Sequence, residues 1–124
     1  MTANPVPKRK GLWWAAVLVC GVAILVVSVI PVSGGPDIPY LDKVVHLCQY
    51  WLFAWLLVQA IRTGGLRERD YLVLAWVYAA SYGLLIEIIQ GFLPWRSADW
   101  GDVLANAVGA AAGVWWGQRF PKHS

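Results

Sequence analysis

Charge is scarce in this chain. Charged side chains are 14% of its 124 residues and only seven are acidic, where a soluble domain carries about 25% charged residues. With 59% hydrophobic residues and a mean hydropathy of +0.54, an ordinary soluble globular domain is excluded. Cysteine is nearly absent. Cys20 and Cys48 both fall inside apolar stretches, so they offer neither a disulfide framework nor a metal-ligand spacing, and they read as small packing residues. No serine, cysteine or lysine stands as a clear nucleophile, with Ser97 in a turn and Lys43 at the edge of a segment. The sequence carries no strong metal-ligand motif and implies no cofactor.

What is abundant is apolar sequence at helix length. Leu12–Ile30 contains no charge, Val44–Ile61 only His46 as a potentially charged side chain, and Tyr71–Leu93 only Glu87. Val103–Gly117 reaches helix length once the polar Asp99–Asp102 turn is added. A helix crosses the hydrocarbon core with about 20 residues at about 1.5 Å each. The expectation is an all-α fold, a four-helix transmembrane bundle formed by one domain over 1–124. Its helices run at about 12–30, 42–61, 71–93 and 99–117, behind a basic tail, 1–11.

The basic residues set an orientation. With the N-terminus inside, Lys8, Arg9, Lys10, Arg62, Arg67, Arg69, Arg119 and Lys122 share the inner face, leaving Lys43 and Arg96 outside. That bias predicts a multi-pass inner-membrane protein with both termini in the cytoplasm. The net charge of +3 then reflects topology and anionic lipid, so membrane lipids are the expected partner and nucleic acid is not. A cleaved signal peptide is the alternative for the first apolar run, but the run is longer than a usual signal core. Trp13, Trp14, Trp115 and Trp116 suit the inner interface, and Trp95 the outer one.

Against this background the polar residues between Glu87 and Asn106 stand out. Polar groups in an apolar span cost free energy unless they pair or meet water. Gly83, Glu87 and Gln90 share one helical face, where small Gly83 admits a neighbouring helix. Asp99, Asp102, Asn106, Gly109, Gly113 and Gly117 form a second stripe, polar in its upper half and G-x-x-x-G-x-x-x-G in its lower half. Those glycines serve close packing, within one chain or between copies in a homo-oligomer. Asp42 either caps the second helix or, with His46 four residues on, orients an imidazole for base work or metal binding; Gln49 and Tyr50 continue that face.

Counted at about 1.5 Å per residue from the outer boundary, His46 lies about 6 Å, Glu87 about 9 Å and Asn106 about 10 Å deep. Three helices thus bring polar side chains to one level. Asp42, Gln90, Arg96, Asp99 and Asp102 form the rim above, and the inner half is almost free of polarity. An outward-opening polar pocket between helices 2, 3 and 4 is expected. The structural alternative is capping of helix 4 by Ser97 or Asp99, with an Arg96–Asp99 surface pair.

The ordered set Asp42-Lys43-x-x-His46-x-x-x-Tyr50, Glu87-x-x-Gln90 and Arg96-x-x-Asp99-x-x-Asp102-x-x-x-Asn106-x-x-Gly109 resembles the VanZ-like family of small bacterial membrane proteins. The resemblance covers helices 2 to 4, and helix 1 only as an apolar span. Trp95 departs from it, since family members often carry a small residue before the arginine. It implies a place in the bacterial cell envelope. Through the founding member it also implies a link to resistance against teicoplanin, a lipid-tailed glycopeptide that acts on cell-wall precursors outside the membrane. No agreed biochemical activity comes with it.

Three functions follow as expectations. A binding protein would hold an amphipathic envelope ligand, either a lipid-linked cell-wall intermediate or a lipoglycopeptide such as teicoplanin. Its contacts would be Asp42, Lys43, His46, Tyr50, Glu87, Gln90, Arg96, Asp99, Asp102 and Asn106. A hydrolase or transferase would use Asp42, His46, Glu87, Asp99 or Asp102 as acid and base on a lipid-linked phosphate or glycan. A structural or assembly subunit would use the same groups only to stitch helices together. Binding is favoured, because carboxylates and an arginine without a nucleophile or metal signature do not require a reaction.

Overall fold

The computed structural model describes residues 9–31, 41–96 and 98–119, with Asp42 described in its backbone alone. The tail 1–8, the loop 32–40, Ser97 and residues 120–124 lie outside the described residues, and with them the Ser97 cap and the Asp42 side-chain contacts expected above. Four helices follow one another: α1 (Arg9–Val29), α2 (Leu41–Arg62), α3 (Glu68–Gly91) and α4 (Trp100–Arg119). No strand occurs among the described residues, and the expected all-α fold holds. α3 begins about a turn before its apolar run because Glu68 and Asp70 suit the first turn, where carboxylates meet unpaired N–H groups and the positive end of the helix dipole.

The helices α1, α2 and α3 are long and apolar enough to cross a membrane. α4 has 20 residues, but its buried face consists of Asp102, Asn106, Ala110 and the glycines instead of large apolar side chains. The molecule is inverted relative to a soluble protein. Leu12, Leu18, Val19 and Leu104 are largely exposed, whereas Gln59, Glu87, Gln90, Asp102 and Asn106 are buried. Such a surface is stable where lipid covers it, so the chain is a membrane protein.

α2 and α4 are packed almost backbone to backbone. A methyl group added at Gly109 would collide with the carbonyl oxygen of Leu47, and one at Gly113 with that of Trp51. At Gly117 it would come 2.9 Å from Val58 Cβ. The three glycines meet α2 in chain order, at Leu47, Trp51 and Val58, so the two helices run parallel. The glycine stripe is therefore occupied within the chain. α3 runs antiparallel to both. α1 packs on α2 and, more lightly, on α3, away from α4.

The apolar core lies mainly between α1, α2 and α3 around Tyr50, Phe53, Leu57, Ala75 and Ala79, and Ala110 of α4 joins it. Cys20 packs against it, but Cys48 is exposed on the opposite side of α2, so the packing role expected for both thiols holds for one. Replacing Gly113 by Ala should destabilise the fold by about 1–3 kcal/mol through forced separation of α2 and α4. Gly11→Ala, with no atom within 4 Å of the added carbon, should be neutral or stabilising. Denaturant unfolding in detergent reads the difference, and equal stabilities would contradict the tight contact.

Candidate functional site

The turn after α3 decides which side chains meet. α3 closes with Phe92 N–H donating to the Ile89 carbonyl at 3.0 Å and Leu93 N–H to that of Gln90 at 3.1 Å. The chain then dips back along α3, and the backbone N–H of Asp99 donates to Glu87 Oε2 at 2.9 Å. Asp99 caps α4, as expected. Its Oδ1 accepts from Gly101 N–H at 2.8 Å and its carbonyl from Asp102 N–H at 2.9 Å.

α4 therefore starts level with Glu87, about one turn deeper than the end of α3. This corrects the depths read from the sequence, which counted α4 from the outer boundary. Asp102, assigned to the rim, is the residue that meets His46 and Glu87. Asn106, assigned to their level, lies a turn further in beside Gly83, where an added methyl would be 2.9 Å from the Asn106 side chain.

His46 on α2, Glu87 on α3 and Asp102 on α4 converge. His46 Nε2 is 3.8 Å from Glu87 Oε1 and 3.8 Å from Asp102 Oδ2. Both distances are too long for hydrogen bonds. The other oxygen of each carboxylate is held elsewhere: Glu87 Oε2 by the Asp99 N–H, and Asp102 Oδ1 by the Lys43 ammonium 2.8 Å away. That last contact is an ion pair outside hydrogen-bond geometry. Lys43 also donates to Asp99 Oδ2 at 2.7 Å, and this bond holds the Asp99 carboxyl below its ordinary range. Glu87 and Asp102 are buried and His46 is partly buried.

One turn further in, the Tyr50 hydroxyl and both side-chain amide atoms of Asn106 are buried with no hydrogen-bond partner. A buried polar group left unpaired costs about 1–3 kcal/mol. A layer of such groups suits a bound water or ligand.

The remaining expected contacts lie elsewhere. Gln90 Nε2 donates to the Ser28 carbonyl at 3.0 Å, and Arg96 donates to the carbonyls of Val27 and Ile30, each at 2.8 Å. Trp95 Nε1 donates to the Val29 carbonyl at 2.7 Å. These donors serve the orphan acceptors at the end of α1. The expected Arg96–Asp99 pair is replaced by Lys43–Asp99, because Arg96 is turned to α1. The sequence did contain a signal: α1 has no basic residue in its last turn to serve those carbonyls itself. Gln59 was missed as well. It is buried at the other end, where Nε2 lies 3.4 Å from the Gly117 carbonyl and Oε1 accepts from Arg62, so that half of the bundle is not free of polarity.

A cleft of about 150 Å³ reaches the cluster between α3 and α4. Leu84, Ile88, Trp100 and Val103 line it, with Glu87 and Asp99 at its polar side.

A protein-family model described as VanZ/LLP1 matches residues 11–118, all four helices included. No curated protein and no solved structure gives a significant match.

Arg96→Ala should free the end of α1 and lower stability by about 1–3 kcal/mol, with faster hydrogen exchange at Val27–Ile30. Unchanged exchange there would show that the α1 tie carries no weight. The Asp99 contact has its own pH signature. Its folded-state pKa is depressed, so its stabilisation is present above the unfolded aspartate value of about 4 and lost as pH falls through the lower folded value. Carboxyl NMR of Asp99 should titrate at lower pH in the wild type than in Lys43→Ala; coincident midpoints would contradict the pairing.

Proposed function

This chain belongs to the VanZ/LLP1 family, and from that premise we propose that it binds an amphipathic ligand of the bacterial cell envelope at the outer side of the inner membrane. All four helices cross the bilayer in this reading, α4 alongside α2. Arg9, Lys10, Arg62, Arg67, Arg69 and Arg119 then sit at the cytoplasmic end with both termini, while Lys43 and Arg96 face outward.

The observation that carries the reading is the cleft between α3 and α4, apolar along Leu84, Ile88 and Trp100 and ending on Glu87 and Asp99. A ligand with an acyl or polyprenyl tail and a polar head matches that gradient. The tail lies along the lipid-facing wall. The head meets Asp99, Lys43, His46, Glu87 and Asp102, and Tyr50 and Asn106 supply the deeper polar contacts. Gln90 and Arg96 contribute indirectly, by fixing α1 against the outer turn. Lipid-linked cell-wall intermediates and lipoglycopeptides such as teicoplanin both have this character, and holding either one bears on glycopeptide resistance.

A membrane-embedded hydrolase or transferase is the second reading, favoured by an imidazole 3.8 Å from each of two carboxylates. That arrangement suits acid–base work on a lipid-linked phosphate or glycan. A purely structural subunit is disfavoured, since a network built only to stitch helices would not leave Tyr50 and Asn106 unpaired.

In detergent or nanodiscs, Glu87→Gln and the cleft-filling Leu84→Trp should each weaken binding of teicoplanin or a polyprenyl-phosphate glycolipid about tenfold, about 1.4 kcal/mol. In a susceptible Gram-positive host the same changes should abolish any protection given by the wild type at equal membrane level. Undiminished binding in both folded variants sinks the cleft as the ligand site. Turnover of the glycolipid that is lost in Glu87→Gln would transfer the assignment to the enzyme.

A further inference from the structure

We propose that His46, Glu87 and Asp102 form a binding site for one first-row divalent metal ion, zinc or manganese. Each residue offers one ligand atom, and the three atoms lie within 4.8 Å of one another. His46 Nε2 is 3.8 Å from each carboxylate oxygen. Two ligand atoms that share a first-row ion at about 2.0–2.2 Å stand about 3–4 Å apart. The spacing is thus too wide for hydrogen bonds and right for a shared cation, with small side-chain rotations closing the widest gap.

Two further observations point to a ligand. Glu87 is 2% exposed, yet its Oε1 has no hydrogen-bond partner and faces the imidazole. Each carboxylate is also braced by its second oxygen, Glu87 by the Asp99 N–H and Asp102 by Lys43. Bracing of this kind orients metal-binding carboxylates. Charge agrees with the geometry. Among the described residues one lysine and three carboxylates meet here, and a divalent ion offsets the two negative charges they leave. The imidazole suits zinc, and the two carboxylates suit manganese as well. Three protein ligands leave coordination positions open, and the unpaired Tyr50 hydroxyl and Asn106 amide lie a turn below, able to hold a metal-bound water or anionic oxygen.

The site rests on side-chain geometry and not on the ligand proposed above, so loss of teicoplanin or glycolipid binding leaves it standing. The test uses the full chain, purified through a tag without histidine, stripped with chelator, loaded with zinc or manganese, and desalted. Metal analysis should give about one ion per chain, reduced at least about tenfold in His46→Ala and Glu87→Gln proteins that keep wild-type helicity and elution. Zinc X-ray absorption of the wild type should show one imidazole among oxygen ligands and no sulfur, a readout independent of how the variants fold. Less than about a tenth of an ion per wild-type chain with both metals, sulfur ligation through Cys20 or Cys48, or wild-type stoichiometry in His46→Ala would each overturn the proposal.

Discussion

The contact on which the structure depends is the one between the backbones of α2 and α4. Gly109 and Gly113 bring α4 so near that the Leu47 and Trp51 carbonyl oxygens occupy the space any side chain would need. In lipid no hydrophobic force drives helices together, and small residues that let backbones approach are the main route to tight packing. The pairing fixes α2 and α4 as parallel neighbours in one register. That register sets Lys43 beside Asp102, His46 beside Asp102, and Gln59 beside Gly117. Without it no side chain of α2 would have a fixed partner on α4.

The clamp also explains why polarity gathers at one end. Where glycines meet α2, no room is left for functional groups. Above Gly109 the stripe changes to Asn106 and Asp102, and α3 contributes Gly83 and Glu87 opposite them. Gly83 matters as much as the carboxylates, because any larger residue would fill the space of the Asn106 side chain. The turn between α3 and α4 completes the arrangement by folding back far enough for the Asp99 N–H to reach Glu87. A buried carboxylate needs partners. Glu87 has one on Oε2, the Asp99 N–H, and on Oε1 meets only the more distant imidazole, 3.8 Å away.

Much of this was legible in the sequence. Composition and run length gave four helices, and the helical spacing of Asp99, Asp102, Asn106 and the glycines gave the stripe that faces α2. The convergence of His46 and Glu87 followed from counting rise per residue. The count failed for α4 because rise per residue applies only within a helix. The turn Phe92–Asp99 returns along α3, and nothing in its composition fixes how far. Arg96 was misassigned for a related reason. A cation three residues from an aspartate reads as a local pair, whereas the carbonyls that claim it are 66 and 69 residues away on α1. Bringing His46, Glu87 and Asp102 together needed three helices in register, which no spacing along the chain encodes.

α1 illustrates how an anchor becomes part of the site without touching it. Its sequence is apolar and carries no chemistry of its own. Its last carbonyls nonetheless accept hydrogen bonds from Gln90, Trp95 and Arg96, so the end of α3 and the turn that follows it are tied to a helix that does not pack on α4. The Glu87–Asp99 bond depends on the position of that turn. Gln90 and Arg96 thus bond to α1 and flank the backbone from which Asp99 reaches Glu87. Trp95, unusual before the arginine in the resemblance drawn from the sequence, fits this role. Its indole N–H reaches α1, which a small residue could not do. In this chain the turn between α3 and α4 is thus held to α1 by an indole N–H as well as by the Arg96 guanidinium.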